Sequence, residues 1–218
     1  MADFEIGSGF QFSGATIDEE YAAGSGYTLV TIALDESGSI GGKEREIEDM
    51  LKAAVAACFS SPYSNNLLTR VIRFGSQYAR QNGNGVDEIH GFKPLSDIDV
   101  STYPSLRGGG ATPLYDAVFS SVGAMNVYAK SLYDLDFAVN GITFVITDGG
   151  ENDSTGSGAN DVQRVLTEAV RGEVMESHLS ILIGIDNGYG NVKQVLADFQ
   201  QNTGMDKFVW AGEATKGK

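Results

Sequence analysis

Five oxygen-bearing side chains stand at three places in the 218-residue sequence. Asp35, Ser37 and Ser39 form a D-x-S-x-S run just after the apolar stretch 27–34 (YTLVTIAL). Thr112 follows the glycine run in RGGGAT, and Asp148 follows residues 141–147 (GITFVIT) and precedes Gly149 and Gly150. Two carboxylates and three hydroxyls, with no Cys or His, make a hard-oxygen donor set. Such a set suits Mg²⁺, Mn²⁺ or Ca²⁺ rather than zinc. With so few protein charges at the ion, it keeps waters or accepts an acidic group from a partner.

The elements that must carry these residues can be read from apolar patterning. Residues 27–34, 67–74 (LLTRVIRF), 141–147 and 178–185 (HLSILIGI) are continuous apolar or β-branched runs, expected of strands buried on both faces of a parallel sheet. Residues 207–211 (KFVWA) add a short last strand, and the turn signal QNGNG turns 86–92 back antiparallel. Helical spacing of Ile47, Met50, Leu51, Ala54, Val55 and Cys58 predicts a helix after the first strand. A helix starts near Thr112, with Pro113 in its first turn and Leu114, Ala117, Val118 and Val122 inward; residues 126–140 continue it or form a short insert. Two more helices bury Val162, Val165, Leu166 and Ala169, then Val192, Val195, Leu196 and Phe199. The alternation predicts an α/β fold: a doubly wound, mostly parallel, Rossmann-like sheet with one antiparallel edge strand and helices on both faces. In such sheets ligands bind at the carboxyl ends of the strands, near the reversal of strand order. That rule singles out the loops 35–42, 108–112 and 148–160. Residues 1–26 read as an arm or short irregular hairpin, 27–211 as a single domain, and 212–218 as a flexible tail.

Each motif also has a plainer reading. Ser37 and Ser39 are good helix caps, Thr112 before Pro113 is a good N-cap, and Asp148-Gly149 is an ordinary turn. Their coincidence at one edge of the predicted sheet argues for a site. Cys58 falls on an apolar helix face and reads as core, Trp210 as packing, and His90 and His178 as structural or exposed. The acids of residues 44–49 read as a solvated helix face, and the acidic loop 151–161 lacks the spacing of an EF-hand.

In order and context, Asp35-Glu36-Ser37-Gly38-Ser39, Thr112 in GGGATPLYDA and Asp148 in TDGGEND resemble the metal-ion-dependent adhesion site of von Willebrand factor type A domains. The resemblance covers residues 27–211. It implies that Ser37 and Ser39 ligate the ion directly and that Thr112 does so directly or through water. Asp35 and Asp148 then lie close by and act through water, and the last ligand is a Glu or Asp of a bound protein. It also suggests, as one partner class, a AAA+ ATPase of the MoxR type served by an adaptor. The cofactor expected is Mg²⁺, with Mn²⁺ or Ca²⁺ as alternatives. The function expected is cation-dependent protein binding without catalysis.

Composition narrows the classes. Fifteen Lys+Arg against 29 Asp+Glu give a formal charge of −14, which disfavours nucleic-acid backbones and anionic membrane surfaces. One cysteine excludes an intrachain disulfide and a zinc–cysteine cluster. With no apolar leader at residues 1–10 and no long apolar stretch, the expected location is cytoplasmic. Two rivals remain beside the metal reading. One is a metal-independent interaction domain of the same family; the other, weaker, is a metal-dependent hydrolase, which would need more carboxylates and has only Lys43 nearby as an acid/base group. A P-loop fails in SGSIGGKE, because Ser37 stands where the first Gly is required and Glu44 where Ser or Thr is. No G-x-S-x-G elbow occurs for a serine hydrolase.

Overall fold

The apolar run after residue 26 becomes the central strand of the molecule. A computed structural model describes residues 1–6, 10–17, 26–188 and 190–212. The strands are β1 (Ala2–Ile6), β2 (Phe10–Gly14), β3 (Gly26–Asp35), β4 (Leu67–Phe74), β5 (Val86–Pro94), β6 (Ala138–Thr147), β7 (Ser177–Gly184) and β8 (Lys207–Trp210). The helices are α1 (Glu44–Phe59), the single turn α2 (Ala79–Asn82), α3 (Leu114–Tyr133), α4 (Ala159–Arg171) and α5 (Val192–Thr203). The strands form one eight-stranded sheet in the order β1-β2-β5-β4-β3-β6-β7-β8.

β3 pairs in parallel with β4 on one side and β6 on the other. Its side chains alternate between two cores. Leu29 and Ala33 pack with α3, α4 and α5, while Val30, Ile32 and Leu34 pack with Ile47, Leu51 and Val55 of α1. Helices on both faces explain why the strand is apolar without alternation. From β3 the chain winds outward to β4, then returns past β3 to lay down β6, β7 and β8 on the other side. The strand order therefore reverses at β3/β6, and the carboxyl ends of these two strands lie side by side: Leu34 is in register with Ile146.

The antiparallel strand expected at 86–92 is β5, which runs against β4. It does not end the sheet, because the first residues continue it. The segment expected to be an arm or irregular hairpin forms, over residues 2–6 and 10–14, a regular antiparallel strand pair with Phe4 opposite Phe12. β2 joins β5 in parallel through Gly14 and Phe92. Aromatic packing holds the hairpin on α3: the Phe4 and Phe12 rings stack at 5.1 Å, Phe4 meets Tyr128 edge-on at 5.6 Å, and Phe10 lies 5.3 Å from Phe119. Residues 7–9 and 18–25 of that expected arm, and most of the expected tail, 213–218, lie outside the described residues. Residues 126–133 continue α3, so its apolar residues serve the hairpin, the sheet and α4 at once. Val195, expected on the inner face of α5, is 37% exposed, because Val192, Leu196 and Phe199 already fill that face. Among the described residues no helix is long and apolar enough to cross a membrane.

Candidate metal centre

Asp35 is the last residue of β3, and Asp148 directly follows β6. Strand adjacency alone brings the two carboxylates together at the point where the strand order reverses. Both residues are fully buried. The backbone N–H of Ser37 donates to Asp35 Oδ1 at 2.8 Å, a turn that draws the Ser37–Ser39 segment back over the strand end. Asp35 Oδ2 accepts from the Thr147 hydroxyl at 2.5 Å. Ser37 Oγ and Ser39 Oγ share a hydrogen bond of 3.0 Å, and Ser39 Oγ donates to Asp148 Oδ1 at 2.5 Å.

Thr112 arrives from the loop before α3. Its N–H donates to Asn152 Oδ1 at 2.7 Å, and its carbonyl accepts from Asn152 N at 3.1 Å, so the 148–158 loop grips it on both sides. Gly149 gives the best measure of how the hydroxyls converge. A Cβ built on it would stand 3.2 Å from Ser39 Oγ, 3.3 Å from Thr112 Oγ1 and 3.9 Å from Asp35 Oδ2. Oxygens of three of the five side chains thus lie within 4 Å of one point, and the other two side chains are hydrogen-bonded to Ser39.

The capping alternatives do not account for these hydroxyls. Ser37 precedes a short 3₁₀ turn (Gly38–Ile40) and makes no side-chain cap bond. α1 begins after Lys43, without a side-chain cap, and the residue capping α3 is Pro113. The P-loop alternative also fails, because Glu44 folds its carboxylate onto the Gly42 N–H at 2.9 Å, in the region a phosphate would need.

Electrostatically the arrangement is under-compensated. Burial pushes the Asp35 carboxyl up to about 6, against the bonds from Thr147 and Ser37; the Asp148 charge adds to the rise. Burial also raises Asp148, opposed by the Ser39 bond and by Lys43. Asp148 Oδ2 is buried with no hydrogen-bond partner. An orphaned carboxylate oxygen beside a second desolvated carboxylate is expensive unless a cation lies between them. Hydroxyls at that same position complete a hard-oxygen donor set of the kind Mg²⁺ takes. Among the described residues no group of three or more His, Cys, Asp or Glu converges as a metal cluster, so any ion here must rely on hydroxyls and water beside the two carboxylates.

Sequence reasoning did not find Thr147, Asn152 or Asn187. Thr147 reaches Asp35 only through the β3/β6 pairing, and Asn187 Nδ2 donates to the Asp148 carbonyl at 2.6 Å from the loop after β7. Two acids of the 151–161 loop are engaged with the backbone. Glu151 accepts from the N–H groups of Tyr115, Asp153 and Ser154, and Asp161 accepts from Gly158 N–H at the start of α4. His90 is buried and neutral, held between Gly91 O at 2.8 Å and the Tyr103 hydroxyl at 2.7 Å; burial lowers it to about 4. His178 pairs with Thr143 at 3.1 Å, Cys58 is partly buried against the α1-side core, and Trp210 packs against the α3-side core.

No protein-family model matches the chain, and no curated protein matches its sequence. Solved structures do resemble it in fold. The pilus adhesin SpaC of Lactobacillus rhamnosus GG, in its open conformation, aligns with a TM-score of 0.63 at 10% identity, over 88% of this chain and 28% of the adhesin. Proximal thread matrix protein 1 of the mussel byssus aligns with a TM-score of 0.56 at 18% identity, over 86% of this chain and 44% of that protein. At these identities the likeness is one of fold, and this chain spans less than half the length of either.

Proposed function

We propose that this chain is a von Willebrand factor type A domain that binds one divalent cation, Mg²⁺ by preference, and uses it to capture an acidic side chain of a protein partner. Ser37, Ser39 and Thr112 are the hydroxyl ligands, and Asp35 and Asp148 supply the charge, directly or through water. The observation that carries the reading is Asp148: its Oδ1 is bonded to Ser39, while its Oδ2 is buried and unpartnered at the same edge of the sheet as Asp35. Two carboxylates leave a divalent ion with hydroxyl and water ligands, so a Glu or Asp from a partner gains a strong charge-assisted bond on replacing a water. Binding rather than catalysis is the reading favoured, because a metal-dependent hydrolase would need more carboxylates at the ion than the two the strand ends supply. A MoxR-type AAA+ ATPase is the first partner class to assay, on the family resemblance.

The test is calorimetric titration of metal-stripped protein with Mg²⁺ and Mn²⁺, beside Asp148→Ala. Saturable one-site binding that disappears in the variant is expected. Wild-type affinity in Asp148→Ala would refute the site.

A further inference from the structure

Glu36 occupies the first variable position of the D-x-S-x-S run, where a solvent-facing side chain would serve, yet it is 1% exposed. Its carboxylate turns away from the hydroxyls and into the adjoining loops. Oε1 accepts from the backbone N–H of Arg107. Oε2 accepts from the Tyr78 hydroxyl and, at 3.4 Å, from Arg73 Nη1. The backbone of the same residue repeats the pattern. Its carbonyl accepts from Gly109 N at 3.0 Å and Gln77 Nε2 at 2.8 Å, and its N–H donates to Phe74 O at 2.8 Å. One residue thus ties the motif to both neighbouring loops, 75–78 and 107–110.

The tie continues to Thr112. Gly38 N donates to Gly110 O at 2.9 Å, and Ala111 exchanges bonds with Ser76, its N–H donating to Ser76 Oγ at 2.8 Å and its carbonyl accepting from Ser76 N at 3.0 Å. Gly110 adopts φ +72°, and a Cβ there would stand 2.3 Å from Ser76 Oγ, so the loop has little slack. Resting on the metal reading above, we propose that Glu36 is a positioning residue. Its buried carboxylate fixes the 107–111 loop and so sets where Thr112 stands relative to Ser37 and Ser39. It touches none of the five proposed ligands through its side chain.

The chemistry of the contacts separates positioning from charge. In Glu36→Gln, the amide oxygen can keep the Arg107 N–H and the NH₂ can donate to the Tyr78 oxygen; Arg73 keeps Asp87, at 2.8 Å. Glu36→Ala loses every side-chain link. The experiment measures Mn²⁺ affinity for the wild type, Glu36→Gln, Glu36→Ala, Thr112→Ala and the double variant Glu36→Ala/Thr112→Ala, with hydrogen exchange over 107–112 in the metal-free proteins. Loss of an outer-shell support weakens metal binding about 10- to 100-fold, and that is expected of Glu36→Ala, with Glu36→Gln within about threefold of wild type. With Thr112 already removed, Glu36→Ala should weaken binding by no more than about twofold further, the ordinary error of additivity. Exchange over 107–112 should be faster in Glu36→Ala than in the wild type.

An undiminished loss in the Thr112→Ala background overturns the proposal, as does a Glu36→Gln variant as weak as Glu36→Ala, which would mark a pure charge effect. If the wild type binds no Mn²⁺, the metal reading itself fails, and exchange still judges the brace: unchanged rates in Glu36→Ala overturn it, and faster rates support it.

Discussion

Asp35→Asn should make the metal-free protein more stable while removing its affinity for metal. Asp35 is wholly buried, and its carboxyl is raised from 3.8 to about 6. A folded-state pKa above the unfolded one means that the folded protein holds the proton more tightly than the unfolded chain does. The ionised form therefore costs stability at every pH above about 6. Two units correspond to about 3 kcal/mol at neutral pH. Asparagine removes that penalty, keeps an acceptor for Ser37 N–H, and presents an NH₂ to Thr147, whose hydroxyl has Gly149 O as its other partner at 2.9 Å. Allowing for imperfect bonding, a gain of about 1–3 kcal/mol is expected in urea unfolding at pH 7 with EDTA. The gain should shrink as pH falls through about 6 and vanish near the unfolded carboxyl value, because wild-type Asp35 is then protonated in the unfolded chain as well as in the folded protein. Saturating Mg²⁺ should reverse the ranking, since ligand at about 1,000 times its Kd adds about 4.1 kcal/mol to the wild type alone. An Asn variant less stable than the wild type at pH 7 in EDTA would refute the account of a desolvated, metal-seeking carboxylate.

Three further outcomes follow from the same geometry. Gly149→Ala puts a methyl group 3.2 and 3.3 Å from the Ser39 and Thr112 oxygens; it should cut Mn²⁺ affinity by about tenfold or more with little change in metal-free stability, and unchanged affinity would show that the ion lies elsewhere. Metal affinity should decline below about pH 6, as protons compete for Asp35, so calorimetry at pH 5 and pH 7 should differ by roughly tenfold; equal affinities would remove Asp35 from the ion's surroundings. Phe12→Ala, in the hairpin far along the sheet from the site, should cost about 3–5 kcal/mol of stability and leave metal affinity unchanged; a cost under about 1 kcal/mol would mean that the hairpin is not part of the core.

The elements around the site were legible because they are buried on both faces or amphipathic at a clear period. β3, β4, β6 and β7 read as unbroken apolar runs, and α1 and α4 as apolar stripes. The hairpin was legible only as an arm or an irregular pair, since its two five-residue strands pack through aromatic contacts on α3, more than 100 residues away in sequence. The proposed ligands were legible from local spacing, because Asp35, Ser37 and Ser39 sit in one turn and Asp148 directly follows a strand. Their supports were not. Thr147 depends on the pairing of β3 with β6, Asn152 on the docking of one loop against another, and Glu36 falls at a position the motif leaves open. Spacing points to the candidate ligands; non-local hydrogen bonds hold them in place.

The most direct test of the central claim is an anomalous difference map from crystals of the metal-stripped protein soaked in Mn²⁺. The account predicts one peak within ~2.2 Å of the Ser37 and Ser39 hydroxyls, the Mg²⁺-like bonding distance, with Thr112 and Asp148 in its first or water-bridged surroundings. A peak on other residues, or none at this edge of the sheet, would contradict it.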